Sequence, residues 1–354
     1  MTDLFLKIKT HQDQNLPFVI YCKPNSEKTI GLFQKNDHLY FLESFDKKGF
    51  VFAAFDNSTT PFLPLEFCDV FVEKNNSETY FFDAIQNENS PKQGNDFFEE
   101  LVTKSVAAID NGLFQKVVTS RREIVELNSF DLEVCFKRML QNYPSAFKYC
   151  FYHPKIGLWM GATPEQLVKV KELEFETVAL AGTQKANDIK VVKWSPKEEV
   201  EQQLVTDFIV ENTKEFTKEL NVSEPFTANA GSIFHIKTTI SGKLKNKKAV
   251  EKIINALHPT SAVCGMPREA AKDFILQHEG YNREFYSGFL GELNIDFATF
   301  RTQYSDLFVN LRCMKIKENR AEIFVGCGIT KDSNPKAEYI ETVNKAMTMK
   351  RCIL

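Results

Sequence analysis

The stretch that decides the fold class runs from Glu284 to Thr330 and reads EFYSGFLGELNIDFATFRTQYSDLFVNLRCMKIKENRAEIFVGCGIT. Three segments within it are rich in aromatic and β-branched residues, as strands are, namely EFYSGFLGELN, DLFVNLRCMKI and AEIFVGCGIT. No helix-length segment separates them, whereas parallel strands need a long crossover, usually a helix. The stretch therefore predicts antiparallel strands joined by short connections.

The rest of the chain has the same pattern of many strand-like segments and few helices. Short strands are predicted up to about residue 85, and further strands are predicted in QKVVTSRREIVEL, FKYCFYHP, IGLWMGAT, QLVKVKELEFETVAL and SIFHIKTTISGKL. Helices are predicted at residues 97–111, 197–220 and 335–352 and in AVEKIINAL and PREAAKDFILQHE. The pattern predicts an α+β fold with antiparallel sheets. A polar loop at residues 86–96 is the candidate boundary between a strand-rich part, residues 1–95, and a second region, residues 96–354.

Composition excludes several classes of protein. Of 354 residues, 43% are hydrophobic and 26% are charged, a globular balance that is not typical of disordered chains. The formal net charge is −3, with no basic block, so neither nucleic acid nor an anionic membrane is expected as a partner. No apolar run long enough to cross a membrane and no secretion signal are evident. The eight cysteines form no C-x-x-C pair and are interpreted as reduced core thiols of a cytoplasmic protein.

Two pairs of glutamates on two predicted helices could carry chemistry. On a helical wheel, Glu201 is predicted to lie near the middle of an apolar stripe and Glu198 on its edge. That stripe comprises Val200, Leu204, Val205, Phe208 and Ile209. Glu338 and Glu341 repeat the i, i+3 spacing on the last helix, and Lys345 follows on the same face. Two such pairs could hold one hard divalent cation through oxygen ligands, although solvated helix faces would show the same spacing.

Other candidate residues lie in strands and turns. The turns AGT (181–183), ISG (240–242), YSG (286–288) and GCG (326–328) could let a ligand approach the backbone or could be ordinary bulges. Lys116 lies in an apolar strand context, Glu165 follows Pro164 in a turn, and Arg312 interrupts an apolar strand. Taken singly, each of these turns is better explained as a bulge, the lysine as part of a solvated strand face and Glu165 as part of an ordinary turn, whereas Arg312 could be a cation at the edge of the core or could bind a carboxylate.

Taken together, these segments resemble the chorismate-utilising enzymes, a family that includes isochorismate, salicylate, anthranilate and aminodeoxychorismate synthases. The resemblance covers about residues 112–350. It rests on nine segments in the family's order, which are KVVTSR, GATPEQL, ETVALAGT, KEEVEQQLV, HIKTTISG, LHPTSAVCGMP, NREFYSG, NLRCMKI and VGCGITKDSNPKAEYIETVNKA. The resemblance implies two large antiparallel sheets packed face to face with flanking helices.

Three places favour isochorismate synthase within this family. Ala181 stands where one type of aminodeoxychorismate synthase has lysine, and Ala262 stands where salicylate synthases tend to have threonine. The segment LHPTSAVCGMP also differs from the P-x-G-[ST]-x-[ST]-G-A-P of amine-forming members. One departure is Gln202, where the family usually has histidine.

The resemblance implies a role for each matching residue. Lys116 would be the general base for water attack at ring C2, and Glu165 the general acid for the C4 hydroxyl. Glu201 and Glu341 would hold Mg²⁺, with Glu198 and Glu338 beside them. The substrate-binding residues would be Ala181, Gly182, Thr183, His235, Ala262, Tyr286, Arg312, Gly326, Gly328 and Lys345.

The expected substrate is therefore chorismate, the expected cofactor Mg²⁺, and the product would supply menaquinone or siderophore synthesis. No glutaminase subunit is expected. The alternatives are a salicylate synthase, an amine-forming relative that needs an ammonia source, and a chorismate-binding protein without activity.

Overall fold

The structure, a computed structural model, describes residues 3–75, 96–185, 192–230 and 233–354, without the side chains of residues 183–185, 197, 229, 230 and 233. The helices in these ranges are α1 Asp3–Asp13, α2 Asp96–Asp110, α3 Leu132–Asn142, α4 Pro196–Thr213, α5 Lys248–Leu257, α6 Arg268–His278 and α7 Pro335–Ile353. The predicted boundary loop lies outside the described residues, except for its last residue, Asp96.

Twenty-one strands are described. The first six are β1 Phe18–Cys22, β2 Lys28–Gln34, β3 Tyr40–Phe41, β4 Gly49–Ala53, β5 Pro61–Pro64 and β6 Cys68–Lys74. The middle of the chain contributes β7 Lys116–Glu126, β8 Phe147–His153, β9 Gly157–Thr163, β10 Gln166–Lys171, β11 Glu174–Lys185, β12 Thr217–Val222, β13 Phe226–Ala230 and β14 Ile233–Leu244. The last are β15 Gly265–Met266, β16 Phe289–Leu293, β17 Ile295–Asp296, β18 Arg301–Thr302, β19 Tyr304–Val309, β20 Cys313–Lys317 and β21 Arg320–Ile329.

These strands form two large antiparallel sheets. The first has nine strands in the order β15-β7-β21-β20-β9-β8-β1-β2-β6. The second has ten, in the order β12-β14-β11-β10-β19-β16-β4-β5-β3 with β13 on β14, and β17 and β18 form a small ribbon. Strands from residues 3–75 therefore enter both large sheets. The α+β class with antiparallel sheets is confirmed.

The two sheets pack face to face through aromatic side chains. Phe52 of the second sheet stacks on Phe151 of the first, with ring centroids 4.4 Å apart. Phe147 and Phe308 repeat this stacking at 4.4 Å. Helices α1, α3 and α7 cover the outer face of the first sheet, and α4 and α5 cover that of the second. Much of the phenylalanine content thus forms the layer between the sheets, where burial of aromatic area stabilises the fold.

The structure differs from several sequence-based expectations about elements. Helices α1 and α3 were not predicted, although α3 has a helical spacing of buried residues and an Asp131 side chain that accepts from the Val134 N–H at 3.0 Å. The helix predicted to reach residue 220 ends at Thr213, and β12 begins at Thr217. The segment DLFVNLRCMKI is two strands rather than one, because the chain leaves the second sheet after β19 and enters the first at β20.

All eight cysteines are free and buried, in agreement with their prediction as core thiols. In the part of the chain that the structure describes, no helix is both long and apolar enough to span a membrane.

Candidate active site

Lys116 is the first residue of β7, which lies between β15 and β21 in the first sheet. Its side chain lies over Gly328 of β21, where a Cβ atom would come within 3.0 Å of Lys116 Cε. Glycine at this position therefore leaves room for the lysine. Lys116 Nζ donates a hydrogen bond to Glu201 Oε1 at 2.7 Å. The candidate base and one candidate metal ligand are thus in direct contact.

Glu165 lies between β9 and β10 and is half-buried. Thr260 Oγ1 is 3.4 Å from Glu165 Oε1 and donates to it. Burial raises the pKa of Glu165 to about 7, although this hydrogen bond and the cations Lys116, Lys345 and Arg312 oppose the rise. A carboxyl group with such a pKa is partly protonated near neutral pH and can donate a proton.

Ala262 lies with Glu165 and Thr260 around a small, mostly apolar pocket between β10, β11, α4 and the end of α5. The predicted site included Ala262 but missed Thr260, which stands two residues before it in LHPTSAVCGMP. The segment was recognised from its sequence. Only the contact with Glu165 shows that the threonine hydroxyl faces the candidate acid.

Helix α4 presents a different face to the sheet from the one predicted. Its buried residues are Gln202, Val205, Thr206, Ile209 and Thr213, whereas Val200 is 60% exposed and Leu204 is 37% exposed. Polar residues can face inward because they are hydrogen-bonded, as where Gln202 Nε2 donates to Thr238 Oγ1 at 2.7 Å. Glu201 is therefore a half-buried residue at the edge of the buried face and not the centre of an apolar stripe.

Glu198, predicted on the edge of the stripe, lies near Gly182 of the second sheet. A Cβ atom on Gly182 of β11 would be 3.4 Å from Glu198 Cβ. Its Oε2 accepts from the Ser195 N–H at 2.9 Å, and the Ser195 hydroxyl accepts from the Glu198 N–H, which makes a capping box at the start of α4.

Helix α7 supplies the second acidic pair. Lys345 Nζ donates to Glu341 Oε1 at 2.6 Å and to the Gly326 carbonyl at 3.0 Å, so the helix is tied to β21. Burial raises the pKa of Glu338, and the nearby Glu341 carboxylate contributes to the rise. The predicted i, i+4 pair of Glu341 and Lys345 is therefore present, and its lysine also binds the strand that carries Gly326 and Gly328.

Tyr286 lies over Gly326 of β21, and Arg312 contacts α7. Tyr286 is buried, and a Cβ atom on Gly326 would be 2.9 Å from its hydroxyl oxygen. Arg312 lies where the chain passes between the sheets, and its Nη1 donates to Thr348 Oγ1 at 3.2 Å. Burial lowers the pKa of Arg312, whereas Tyr286, Glu341 and Glu165 favour its charge. Two groups that can bind an anion thus lie near the carboxylates of the site.

His235 of β14 contacts the bulge in β11 between Ala181 and Thr183. Its Nδ1 is 3.0 Å from the Gly182 carbonyl oxygen, which can only accept, so Nδ1 carries the proton. Burial lowers the pKa of His235, the hydrogen bond with Gly182 opposes this shift, and Arg312 and Lys345 lower the pKa further. The Thr183 side chain lies outside the described residues.

The carboxylates suit a hard cation by their chemistry. Mg²⁺ is usually held by one or two carboxylates together with water and substrate oxygens, and Glu201 and Glu341 can supply two. Among residues 3–75, 96–185, 192–230 and 233–354, no three His, Cys, Asp or Glu side chains are grouped as a ready metal cage. Glu201 and Glu341 each pair with a lysine instead.

The chain is similar to known proteins. A family model described as chorismate binding enzyme matches residues 67–354. The salicylate biosynthesis isochorismate synthase of Pseudomonas aeruginosa is 30% identical over 265 residues, which cover 72% of this chain and 54% of that protein. Isochorismate synthase EntC of Escherichia coli K12 is 29% identical over 262 residues, or 71% of this chain and 66% of EntC. The matches thus span between about half and two thirds of these relatives.

The fold has a solved counterpart in MenF, the menaquinone-specific isochorismate synthase from Escherichia coli. The two structures superpose with a TM-score of 0.78 at 21% identity, covering 96% of this chain and 89% of MenF. The family match covers most of the chain and includes every candidate site residue, and the sheets and helices agree with this fold. The chain therefore belongs to the chorismate-binding enzymes.

Proposed function

We propose that the protein is an isochorismate synthase, which converts chorismate to isochorismate. The observation that carries the proposal is a candidate base, Lys116, whose Nζ lies 2.7 Å from Glu201 Oε1, together with a candidate acid, Glu165, which accepts from Thr260 Oγ1 at 3.4 Å and whose pKa burial raises to about 7. The reaction moves a hydroxyl group by adding water at C2 and expelling the hydroxyl at C4. It therefore needs a base for the water and an acid for the leaving group.

In this proposal, Lys116 removes a proton from the water that attacks C2. The ring double bonds shift, the C4–O bond breaks, and the leaving hydroxyl takes a proton from Glu165. An ammonium group cannot accept a proton, so Lys116 has to release one proton to solvent before it can act as the base. Arg312 and Tyr286 would bind the enolpyruvyl carboxylate through charge-assisted hydrogen bonds.

Glu201 and Glu341 would hold Mg²⁺, with Glu198 and Glu338 beside them. When bound, the ion would supply positive charge for the ring carboxylate of the substrate. Glu201 pairs with Lys116, and Glu341 pairs with Lys345, which also donates to the Gly326 carbonyl of β21.

The names of the curated relatives support an isochorismate-forming activity, and one of those relatives serves salicylate biosynthesis. Ala262 beside Glu165 favours isochorismate as the final product, because salicylate synthases tend to carry threonine there. The product would feed menaquinone or siderophore synthesis in the cytoplasm, without a glutaminase partner.

Product analysis tests the proposal directly. Purified protein is incubated with chorismate, with and without Mg²⁺ and in the absence of ammonium, and the products are separated. The expected product is isochorismate without pyruvate, formed only with Mg²⁺. A Lys116→Ala variant, purified in parallel, should form none and thereby controls for contaminating enzymes. Salicylate with pyruvate, turnover only with ammonium, or no turnover at all would each refute the proposal.

A further inference from the structure

A buried ion pair lies beside the candidate site, at the end of α6. The side chains of Glu279 and Arg283 are 1% and 2% exposed, and Arg283 Nε donates to Glu279 Oε2 at 2.8 Å. Their i, i+4 spacing in the sequence is typical of a solvated helix pair. Burying two charges costs free energy unless their other polar atoms are also hydrogen-bonded, so this pair is expected to have further hydrogen-bond partners.

Those contacts go to the backbone of β7. Arg283 Nη2 donates to the Val118 carbonyl at 2.6 Å, and the Ser120 N–H donates to Glu279 Oε1 at 2.7 Å. Strand β15 pairs with β7 only through Met266 opposite Lys116 and Gly265 opposite Val117. The ion pair thus takes the place of a neighbouring strand where β15 ends, because it offers one donor and one acceptor to the same edge of β7.

A third contact goes to the loop beside Glu165. Arg283 Nη1 donates to the Val263 carbonyl at 2.9 Å. Val263 directly follows Ala262 and stands three residues after Thr260, which donates to Glu165. The guanidinium also lies 5.7 Å from the centroid of the Tyr286 ring. One side chain therefore holds the strand that begins with Lys116 and the loop that contacts Glu165.

We propose that Glu279 and Arg283 are positioning residues that fix the distance between the candidate base and the candidate acid. This inference rests on the proposed function, because it assigns the pair a role in the same reaction. A planar guanidinium can reach Glu279, Val118 and Val263 at once, which the single ammonium of lysine cannot do. Small displacements of reacting groups reduce turnover strongly while binding is largely kept.

The test compares Arg283→Lys and Glu279→Gln with the control Arg138→Lys. Arg138 also donates to a backbone carbonyl, that of Cys352, but in contact with α7 and away from β7. In Arg283→Lys we expect kcat to fall by about tenfold or more, with KM within about threefold of the wild type. In Glu279→Gln, which keeps an acceptor for Ser120 and loses the charge, we expect a smaller fall. The control should keep both constants.

A second measurement needs no substrate. Hydrogen exchange at the Ser120 amide, followed by NMR, should become faster in both Glu279→Gln and Arg283→Lys, while exchange in β1 and β8 stays unchanged. This measurement tests the contact between the ion pair and β7 even if the wild type makes no isochorismate. In that case the proposed function fails, but the exchange rates still show whether Glu279 and Arg283 hold β7 in place.

Three outcomes would overturn the inference. The first is a folded Arg283→Lys enzyme with kcat within about threefold of the wild type. The second is a fall in kcat that Arg138→Lys shares. The third is failure of both site variants to fold, because the pair would then be a requirement of the fold and not a positioning device.

Discussion

At the scale of single residues, the same side-chain types have different roles because their surroundings differ. Glu165 is half-buried near three cations, and its pKa is about 7. Glu341 is half exposed on the surface of α7 and pairs with Lys345. The sequence named both residues, but it could not show that Glu165 is desolvated, because desolvation depends on neighbours that are distant along the chain.

The first prediction concerns Glu165 as the acid. Burial raises its pKa to about 7, so the protonated form is present below that pH and is lost as the pH rises through it. Turnover is therefore expected to fall above about pH 7. Glu165→Gln should lower kcat by about 100-fold or more and remove this dependence. The pH profile of kcat is measured for Glu165→Gln and for the control Glu176→Gln. Glu176 is an exposed carboxylate of β11, and its substitution should leave the fall in kcat above about pH 7 unchanged. If kcat of Glu165→Gln still fell above about pH 7, the assignment of Glu165 as the acid would be contradicted.

At the scale of elements, the buried face of α4 is partly polar, and the edge of that face carries the candidate metal ligand Glu201. Gln202 is 2% exposed and donates to Thr206 Oγ1 at 2.9 Å and Thr238 Oγ1 at 2.7 Å, which joins the helix to β14. Gln202 stands where the family usually has histidine, and its amide satisfies two buried hydroxyl groups. The helix wheel failed here because it ranks residues by hydrophobicity, whereas buried polar residues are stable when they are hydrogen-bonded.

The second prediction tests this inner face. Gln202→Ala is expected to lower the free energy of unfolding by about 1–3 kcal/mol, because two buried hydroxyl groups lose their donor. The adjacent Gln203→Ala is the matched control, since Gln203 donates to Asp207 on the exposed face, and it should change stability by about 0.5 kcal/mol or less. Urea denaturation measures both, and equal losses would show that the buried amide has no special role.

The third prediction concerns the acidic edge of the same helix. Glu201→Ala should weaken Mg²⁺ binding by about tenfold or more, since the ion would lose one of two protein ligands. Glu199→Ala removes an exposed carboxylate two residues away and should leave the affinity unchanged. Calorimetric titration with Mg²⁺ measures both variants without relying on turnover. An unchanged affinity in Glu201→Ala would refute the ligand assignment.

At the scale of the whole molecule, one buried charge cluster joins the two sheets. Lys23, which follows β1 of the first sheet, pairs with Glu292 of β16 in the second and with Asp296 at 3.0 Å. The Tyr21 hydroxyl donates to Glu292 Oε1 at 2.5 Å. The Glu292 side chain is 0% exposed, so its charge depends on these partners.

The fourth prediction follows from that dependence. Lys23→Met should lower the free energy of unfolding by about 3–5 kcal/mol at pH 8, because it leaves a buried carboxylate without its cation. Burial raises the pKa of Glu292 to about 7, so at pH 5 the carboxyl is protonated and the loss should be smaller. Lys35→Met removes an exposed partner of Asp69 and should change stability by at most about 1 kcal/mol at either pH. A loss independent of pH would contradict the account.

The sequence by itself determined the fold class and most of the strands, and it named a set of candidate site residues. Strand-like segments without intervening helices predicted antiparallel pairing, and the nine family segments named Lys116, Glu165, Glu201 and Glu341. These conclusions are accessible because periodicity and motif order are properties of neighbouring residues.

Only the tertiary structure decided which residues share an environment. It divided DLFVNLRCMKI between the two sheets, turned the apolar residues Val200 and Leu204 of α4 outward, and buried Glu279 and Arg283 against β7. In sequence, that pair is indistinguishable from exposed ones such as Glu100 and Lys104. Burial is set by elements far apart in the chain, and burial with hydrogen bonding decides whether a charge is a surface group or a functional one.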